Sequence, residues 1–132
     1  MKIQFTIQGK AFSVNKAYYA TRKILTGDAK EWIQQVQHQL EEVKDLVDFA
    51  ATHAETGHGQ IEMHLTFYYP KHQFFNGQGQ ISSKTYDLDN SLKLLIDVVF
   101  RHMDMNDKYI TKIVATKAVG SHHYIEISLK CD

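Results

Sequence analysis

The segment KTYDLDNSLKLLID, residues 84 to 97, places Asp87 and Asp89 one residue apart, directly before a run that is typical of a buried helix. Carboxylates held close together repel each other unless a cation offsets the repulsion or solvent screens it. If residues 86–89 are extended, these two side chains point to the same side, because side chains alternate along such a chain. The pattern indicates either a bound divalent cation or an ordinary surface ion pair.

Other charged residues could complete a reactive site around this pair. If a helix begins near Asp89, Lys93 lies one turn further along the same face and Asp97 one turn beyond. The segment MDMNDKY supplies a third carboxylate, since Asp104 or Asp107 could return from the start of a strand. Magnesium binds a few carboxylates and fills its other positions with water and phosphate. Such a site could hydrolyse a phosphodiester, with the lysine stabilising the developing charge.

Simpler interpretations of the same residues stay open. Asp89 could be a helix N-cap, and Asp89, Lys93 and Asp97 could form a surface ladder of ion pairs worth about 0.3 to 0.5 kcal/mol each. The eight histidines are scattered and show no zinc-ligand spacing. Cys131, the single cysteine, is a poor candidate for a nucleophile, and no glycine-rich phosphate loop or serine elbow is present.

Composition and charge limit the class of protein. The 132 residues are 43% hydrophobic, which predicts one domain, residues 1–132, with a real core. One cysteine excludes an intramolecular disulfide, and no segment resembles a signal peptide or a membrane span, so we expect a cytoplasmic protein with no membrane partner. Lysine plus arginine equals aspartate plus glutamate at 15 each, but residues 9–27 and 108–125 are basic without any acid, whereas residues 41–48 are acidic. This segregation indicates either a basic face for a nucleic-acid backbone or ordinary surface charge.

Hydrophobic periodicity predicts the elements that must position the site. Alternation predicts strands over residues 3–7 and 61–69, the second closed by Pro70. Helical spacing after a capping box of Asp28 and Glu31 predicts one long helix from Asp28 to Phe49. A polar loop over residues 71–86 leads to the helix after Asp87, which ends near residues 101–103, and two strands joined at Gly120 and Ser121 follow. The fold class is therefore α/β: a single domain with a mixed sheet of about four strands packed with two main helices, in the order β-α-β-α-β-β.

The motif DLDNSLKLLIDVV followed by MDMND resembles that of the RusA-type Holliday junction resolvases, a group of small phage and prophage endonucleases. In that family D-L-D-N, then a lysine and an aspartate, opens a helix, and a D-D or N-D pair follows. The matching positions here are Asp87, Leu88, Asp89, Asn90, Lys93, Asp97, Asn106 and Asp107. SVNKAYYATRK, with Asn15, Tyr18 and Tyr19, is similar to an early loop of the family. Family members often carry several arginines before the aspartates, where this chain has Lys84 alone.

The resemblance implies a homodimeric endonuclease of DNA recombination and repair that depends on Mg²⁺ or Mn²⁺, nicks two strands of a four-way DNA junction symmetrically and uses no small-molecule cofactor. It implies that Asp87, Asp89 and Asp107 ligate the metal and that Lys93 assists at the scissile phosphate. Asp107 is favoured over Asp104 because the family's essential acid is the second member of its pair. The residues expected to contact DNA are Asn15, Lys16, Tyr18, Arg22, Lys23 and Lys84. The alternatives are a less selective nuclease of flaps and forks, and a non-catalytic DNA-binding protein.

Two further side chains in the long loop bear on DNA contact. Phe74 and Phe75 could stack on exposed bases, or they could fold back onto the core or a dimer interface.

Overall fold

The strands of the protein form one mixed sheet that is buried on a single face. The computed structural model describes residues 2–17, 24–56 and 59–131, excepting the side chains of residues 53–56. The strands are β1 (Lys2–Gln8), β2 (Ile61–Pro70), β3 (Ile110–Gly120) and β4 (Tyr124–Cys131). Their order across the sheet is β1-β4-β2-β3, with β2 and β3 parallel and the other two pairs antiparallel. The mixed sheet of four strands is as predicted.

Strand register explains why one face is buried. Phe5 lies opposite Ile127, and Ile127 lies opposite Leu65, so the alternating apolar residues of three strands share one face. These residues are almost completely buried, whereas the alternate residues on the other face are partly buried or exposed. Burial of large aliphatic and aromatic side chains contributes about 1.5 to 3 kcal/mol each. The helices must therefore pack on this one face.

Three long helices cover the buried face: α1 (Gly27–Glu42), α2 (Lys44–Thr56) and α4 (Leu88–His102), with a short helix α3 (Lys71–Phe74) directly after β2. Helix α4 packs against α1 and β3, and α2 packs against β4 and β1. The predicted order of elements is confirmed once α1 and α2 are counted as one helical region and α3 as part of the loop.

The prediction of a single helix from Asp28 to Phe49 was wrong. The chain leaves helical geometry at Val43 (φ −115°, ψ 22°), and α2 begins at the next residue. The apolar spacing continues unchanged across the break, so periodicity cannot show it. The predicted capping box is also wrong, because the N-cap is Thr26, whose hydroxyl accepts a hydrogen bond from the Ala29 amide at 3.2 Å.

Strand β3 forms one edge of the sheet and is less covered than the other strands. Its register with β2 places Ile113 and Val119 on the helix-covered face, yet each remains 43% exposed. Lys117 occupies the same face, opposite Phe67. Since α4 lies beside β3 without covering it fully, an open groove remains between the two elements.

Candidate active site

The first two aspartates stand at the beginning of α4 with their carboxylates exposed. Asp87 is the N-cap residue, with extended backbone, but its side chain accepts no capping hydrogen bond. Its main-chain carbonyl oxygen accepts hydrogen bonds from the Ser91 amide at 3.1 Å and the Ser91 hydroxyl at 2.9 Å. Asp89 lies within the first turn and is not the cap, which corrects the interpretation of Asp89 as an N-cap. Because the helix begins at Leu88, residues 86–89 are not one extended stretch, and the alternation of an extended chain does not place the two aspartates on the same side. The helix is therefore anchored through backbone atoms, and both carboxylates are left for other contacts.

Lys93 lies one turn beyond Asp89 and pairs with Asp97. The Lys93 ammonium is 3.4 Å from the Asp97 carboxylate, and the lysine side chain is 64% exposed. An exposed pair of this kind contributes at most about 1 kcal/mol to stability. The main effect of Asp97 is therefore to hold the Lys93 ammonium in position on α4, and its contribution to the stability of the fold is small.

Asp107 comes back to the middle of α4 from the far end of the helix. It opens a short 3₁₀ turn, Asp107–Tyr109, just before β3. Asn106 caps this turn by accepting a hydrogen bond from the Lys108 amide at 2.8 Å, so the capping task falls to the asparagine and the Asp107 carboxylate is exposed. Asp107, Lys93 and Asp97 line the open groove of about 220 Å³ between α4 and β3.

Asp104, the other acid of the same turn, is placed differently. Its backbone is left-handed, with φ 52°. It lines a separate open depression of about 470 Å³, together with Asp97 and Asp107, but it does not line the groove that contains Lys93. The geometry gives Asp107, and not Asp104, a position beside the lysine.

Whether the carboxylates on and beside α4 could bind a divalent cation depends on how many of them can reach the same ion. Over residues 2–17, 24–56 and 59–131 no three His, Cys, Asp or Glu side chains form a group that could hold one metal ion. Within the same residues the carboxylates of Asp87, Asp89 and Asp107 accept no hydrogen bond and pair with no cation. Magnesium is commonly held by one or two carboxylates plus water and substrate phosphate, so uncommitted acids on one helix suit a hard cation.

Cationic side chains from distant parts of the chain surround the residues before Asp87. The ammonium groups of Lys10 and Lys16 lie 4.4 and 5.1 Å from the centroid of the Tyr86 ring. The Lys117 ammonium donates a hydrogen bond to the Thr85 hydroxyl at 3.1 Å. The residues leading into the aspartate pair are thus flanked by positive charge from the early loop and from β3.

The predicted DNA-contacting residues are only partly described. Lys16 and Asn15 are exposed on the short 3₁₀ turn Val14–Lys16, which packs against α4, and Lys84 is exposed in the loop before it. Three further predictions, Tyr18, Arg22 and Lys23, lie outside the described residues, as does the motif residue Tyr19.

The loop over residues 71–86 folds back on itself. Phe75 bridges to Ile81, and Asn76 accepts hydrogen bonds from two amides of the turn between them. Phe74 is buried against Tyr69 and against the ring of the partly buried Phe75. Of the two alternatives for Phe74, the structure favours packing on the core.

Tyr69 and His123 pack beneath the backbone segment that leads into Asp87. The Tyr69 hydroxyl accepts a hydrogen bond from the Tyr86 amide at 3.3 Å, and burial raises the pKa of the Tyr69 hydroxyl. The His123 ring packs edge-on against Tyr69, and its Nε2 atom is buried without a hydrogen-bond partner among the described residues. Burial lowers the pKa of His123, and repulsion from Lys10 lowers it further. These contacts fix the backbone that carries Tyr86 and Asp87.

Lys10 and Lys117 are the cations that sequence reasoning did not assign to the site. Their basic segments were noted, but the position of Lys117 beside Thr85 follows from the parallel pairing of β3 with β2, which residue types do not reveal. The position of Lys10 depends on a hydrogen bond at 2.9 Å from the Trp32 indole to its carbonyl oxygen.

A family of known proteins matches this chain. The model of a family described as "Endodeoxyribonuclease RusA" matches residues 8–130, which is nearly the whole chain. Curated protein sequences gave no match. Among the described helices, none is long and apolar enough to cross a membrane.

Proposed function

We propose a function from the premise that this chain belongs to the endodeoxyribonuclease RusA family, since the family match spans nearly all of it. The protein resolves four-way DNA junctions by hydrolysing one phosphodiester in each of two strands. The observation that carries the proposal is the set of uncommitted carboxylates on and beside α4, with the Lys93 ammonium among them.

The proposed roles follow from the chemistry of each side chain. Asp87, Asp89 and Asp107 would hold Mg²⁺ or Mn²⁺, for which carboxylate oxygens are suitable ligands. Since no three acidic or histidine side chains cluster within the described residues, one or two of these carboxylates would bind the ion directly, and water and substrate phosphate would fill its other positions. When bound there, the ion would supply Lewis-acid activation of the scissile phosphodiester. Lys93, held by Asp97 at 3.4 Å, donates to the phosphate oxygens as negative charge develops on them. The exposure of these side chains leaves room for a DNA backbone, which a buried site would exclude.

DNA contact and symmetry complete the proposal. The exposed Asn15, Lys16 and Lys84, together with Tyr18, Arg22 and Lys23, contact the sugar-phosphate backbone. The active form is a homodimer, because a two-fold axis presents two identical sites to the two equivalent phosphates of a junction. Light scattering of the purified protein, alone and with a junction, measures this stoichiometry.

The test is cleavage of a fluorescently labelled mobile four-way junction with Mg²⁺, Mn²⁺ or a chelator. We expect paired nicks in opposite strands with either metal, no nicks in the chelator, and loss of cleavage in Asp89→Asn. Linear duplex, flap and fork substrates of the same sequence measure junction selectivity. Equal cleavage of flaps would favour the less selective nuclease. Absence of nicks under every condition, or full activity of Asp89→Asn, would refute the proposed reaction.

A further inference from the structure

Three lysines from separate parts of the chain converge on the two residues that precede Asp87. Lys10 and Lys16 both place their ammonium groups over the Tyr86 ring, at 4.4 and 5.1 Å from its centroid. Lys117 reaches Thr85 from β3, at 3.1 Å. Thr85 and Tyr86 are neighbours, so the three ammonium groups contact side chains of two consecutive residues.

These three ammonium groups have no carboxylate partner within the described residues. Other lysines of the chain do, since Lys93 pairs with Asp97 and Lys112 lies 3.2 Å from Glu62. Lys10 and Lys16 lie over the same ring, and unpaired like charges held close together repel each other, so their arrangement is more favourable when an anion binds beside them. A cation over an aromatic ring gains about 0.5 to 1 kcal/mol at an exposed site and about 2 kcal/mol when desolvated, and Lys10 and Tyr86 are partly buried. A contact of this size leaves the ammonium groups available to a stronger partner.

The backbone that carries the lysines is held by specific contacts. The Lys10 carbonyl accepts the Trp32 indole hydrogen bond, and the neighbouring Gly9 amide donates to the His123 carbonyl oxygen at 3.0 Å. Lys117 lies within β3, and its partner Thr85 is only 5% exposed. The positions of Lys10 and Lys117 are therefore set by the fold, and only their flexible ends adjust.

We propose that Lys10 and Lys117, together with Lys16, form a phosphate cradle that binds the DNA backbone phosphates next to the one cleaved at Asp87 and Asp89. This inference rests on the proposed function and adds Lys10 and Lys117 to the residues proposed to contact DNA. Lysine binds phosphate as a compact point charge with three donors, so each ammonium can neutralise one phosphate without a fixed geometry. The cradle positions the strand and takes no part in the chemical step.

The cradle has a measurable signature in the salt dependence of binding. Each neutralised duplex phosphate contributes about −0.9 to the slope of log affinity against log salt concentration. Removing one such contact therefore makes the affinity lost between about 50 and 200 mM salt smaller by about 3.5-fold. Loss of a residue that touches no phosphate leaves the slope unchanged.

The experiment measures binding of the full-length protein to a labelled four-way junction by fluorescence anisotropy, in a chelator and over this salt range. The variants are Lys10→Gln, Lys117→Gln and the double variant. The matched control is Lys130→Gln, an exposed lysine opposite Glu62 at the other end of the sheet. Thermal melts verify folding, and Lys10→Arg and Lys117→Arg keep the charge if a glutamine variant unfolds.

We expect each glutamine variant to bind more weakly with a shallower slope, the double variant to add the two effects, and Lys130→Gln and the arginine variants to match the wild type. Wild-type slopes in both glutamine variants, or no binding of the wild-type protein at the lowest salt, would overturn the cradle. Cleavage with Mg²⁺ is scored separately. Lysine-dependent binding without nicking would refute the proposed nuclease activity and support the cradle. Nicking with unchanged salt slopes would support the nuclease activity and refute the cradle.

Discussion

Asp89→Asn should separate binding of a divalent cation from stability of the fold. The wild-type carboxylate is exposed, makes no hydrogen bond or ion pair within the described residues, and does not cap α4. Its favourable interaction with the helix N-terminus, about 0.3 to 1 kcal/mol, is opposed by repulsion from Asp87. In a chelator we therefore expect the variant to lie within about 0.5 kcal/mol of the wild type in its free energy of unfolding.

The effect of magnesium should be larger than this difference. A ligand present at ten times its dissociation constant stabilises the folded state by about 1.4 kcal/mol if it binds only that state. For a chain of 132 residues this corresponds to a rise of about 4 to 7 °C in melting temperature. Because the asparagine side chain is neutral, Asp89→Asn should lose most of this rise.

Thermal melts by circular dichroism, with Mg²⁺ titrated against a chelator, measure both quantities. Asp104→Asn is the matched control, because asparagine tolerates the left-handed backbone found at residue 104 and that side chain does not line the groove with Lys93. The control should keep the magnesium-dependent rise. An equal rise in Asp89→Asn and the wild type would place the ion elsewhere, and a loss above about 2 kcal/mol in the chelator would make Asp89 a structural residue.

Three further predictions concern catalysis, packing and pH. Lys93→Ala should reduce the rate of junction cleavage by about 10²- to 10³-fold while changing the free energy of unfolding by less than about 1 kcal/mol, because its pair with Asp97 is exposed; single-turnover cleavage and urea melts measure the two effects. Gly120→Ala should destabilise the protein by about 1 to 3 kcal/mol in urea melts, since an added Cβ would meet the Tyr68 Cβ atom at 2.9 Å. Burial lowers the pKa of His123 in the folded protein, so as the pH falls the unfolded chain binds a proton at this residue before the folded chain does. The contribution of neutral His123 to stability is therefore complete above about pH 6.5 and is lost as the pH falls further. His123→Phe should reduce the fall in melting temperature between about pH 7.5 and 5.5.

Each of these predictions has an internal control. Lys93→Arg keeps the charge and should recover part of the rate. Gly77→Ala adds a methyl group where nothing lies within 4 Å and should be neutral. A pH profile of His123→Phe identical to that of the wild type would show that other groups control acid stability.

The sequence predicted the strands well because the sheet is buried on one face only. Alternation marks such strands directly, as in Ile3, Phe5 and Ile7, all of which are buried. The same alternation does not show which strands lie next to each other in the sheet. β3 and β4 follow one another in the chain, yet β3 pairs in parallel with β2, and β4 lies between β1 and β2.

The candidate site was predictable where it depends on local spacing. The positions of Asp89 and Lys93 on one face of α4 follow from helical periodicity, because residues four apart share a face, and Asp87 directly precedes the helix as its N-cap. The return of the chain to α4 depends on tertiary packing, so residue spacing offered Asp104 and Asp107 equally, and only the family resemblance favoured Asp107. The contact of Lys117 with Thr85 could not be predicted for the same reason, since it depends on the pairing of β2 with β3.

The place of β4 in the sheet also determines the order in which the molecule can fold. It follows the other three strands in sequence, yet it lies between β1 and β2, with Ile127 opposite both Phe5 and Leu65. A nascent chain therefore displays β1 with no strand to pair with, and β2 with one bare edge, until β4 leaves the ribosome. Unpaired strand edges are prone to aggregation, so a chain interrupted before β4 would be a client for chaperones and proteases rather than a partly active nuclease.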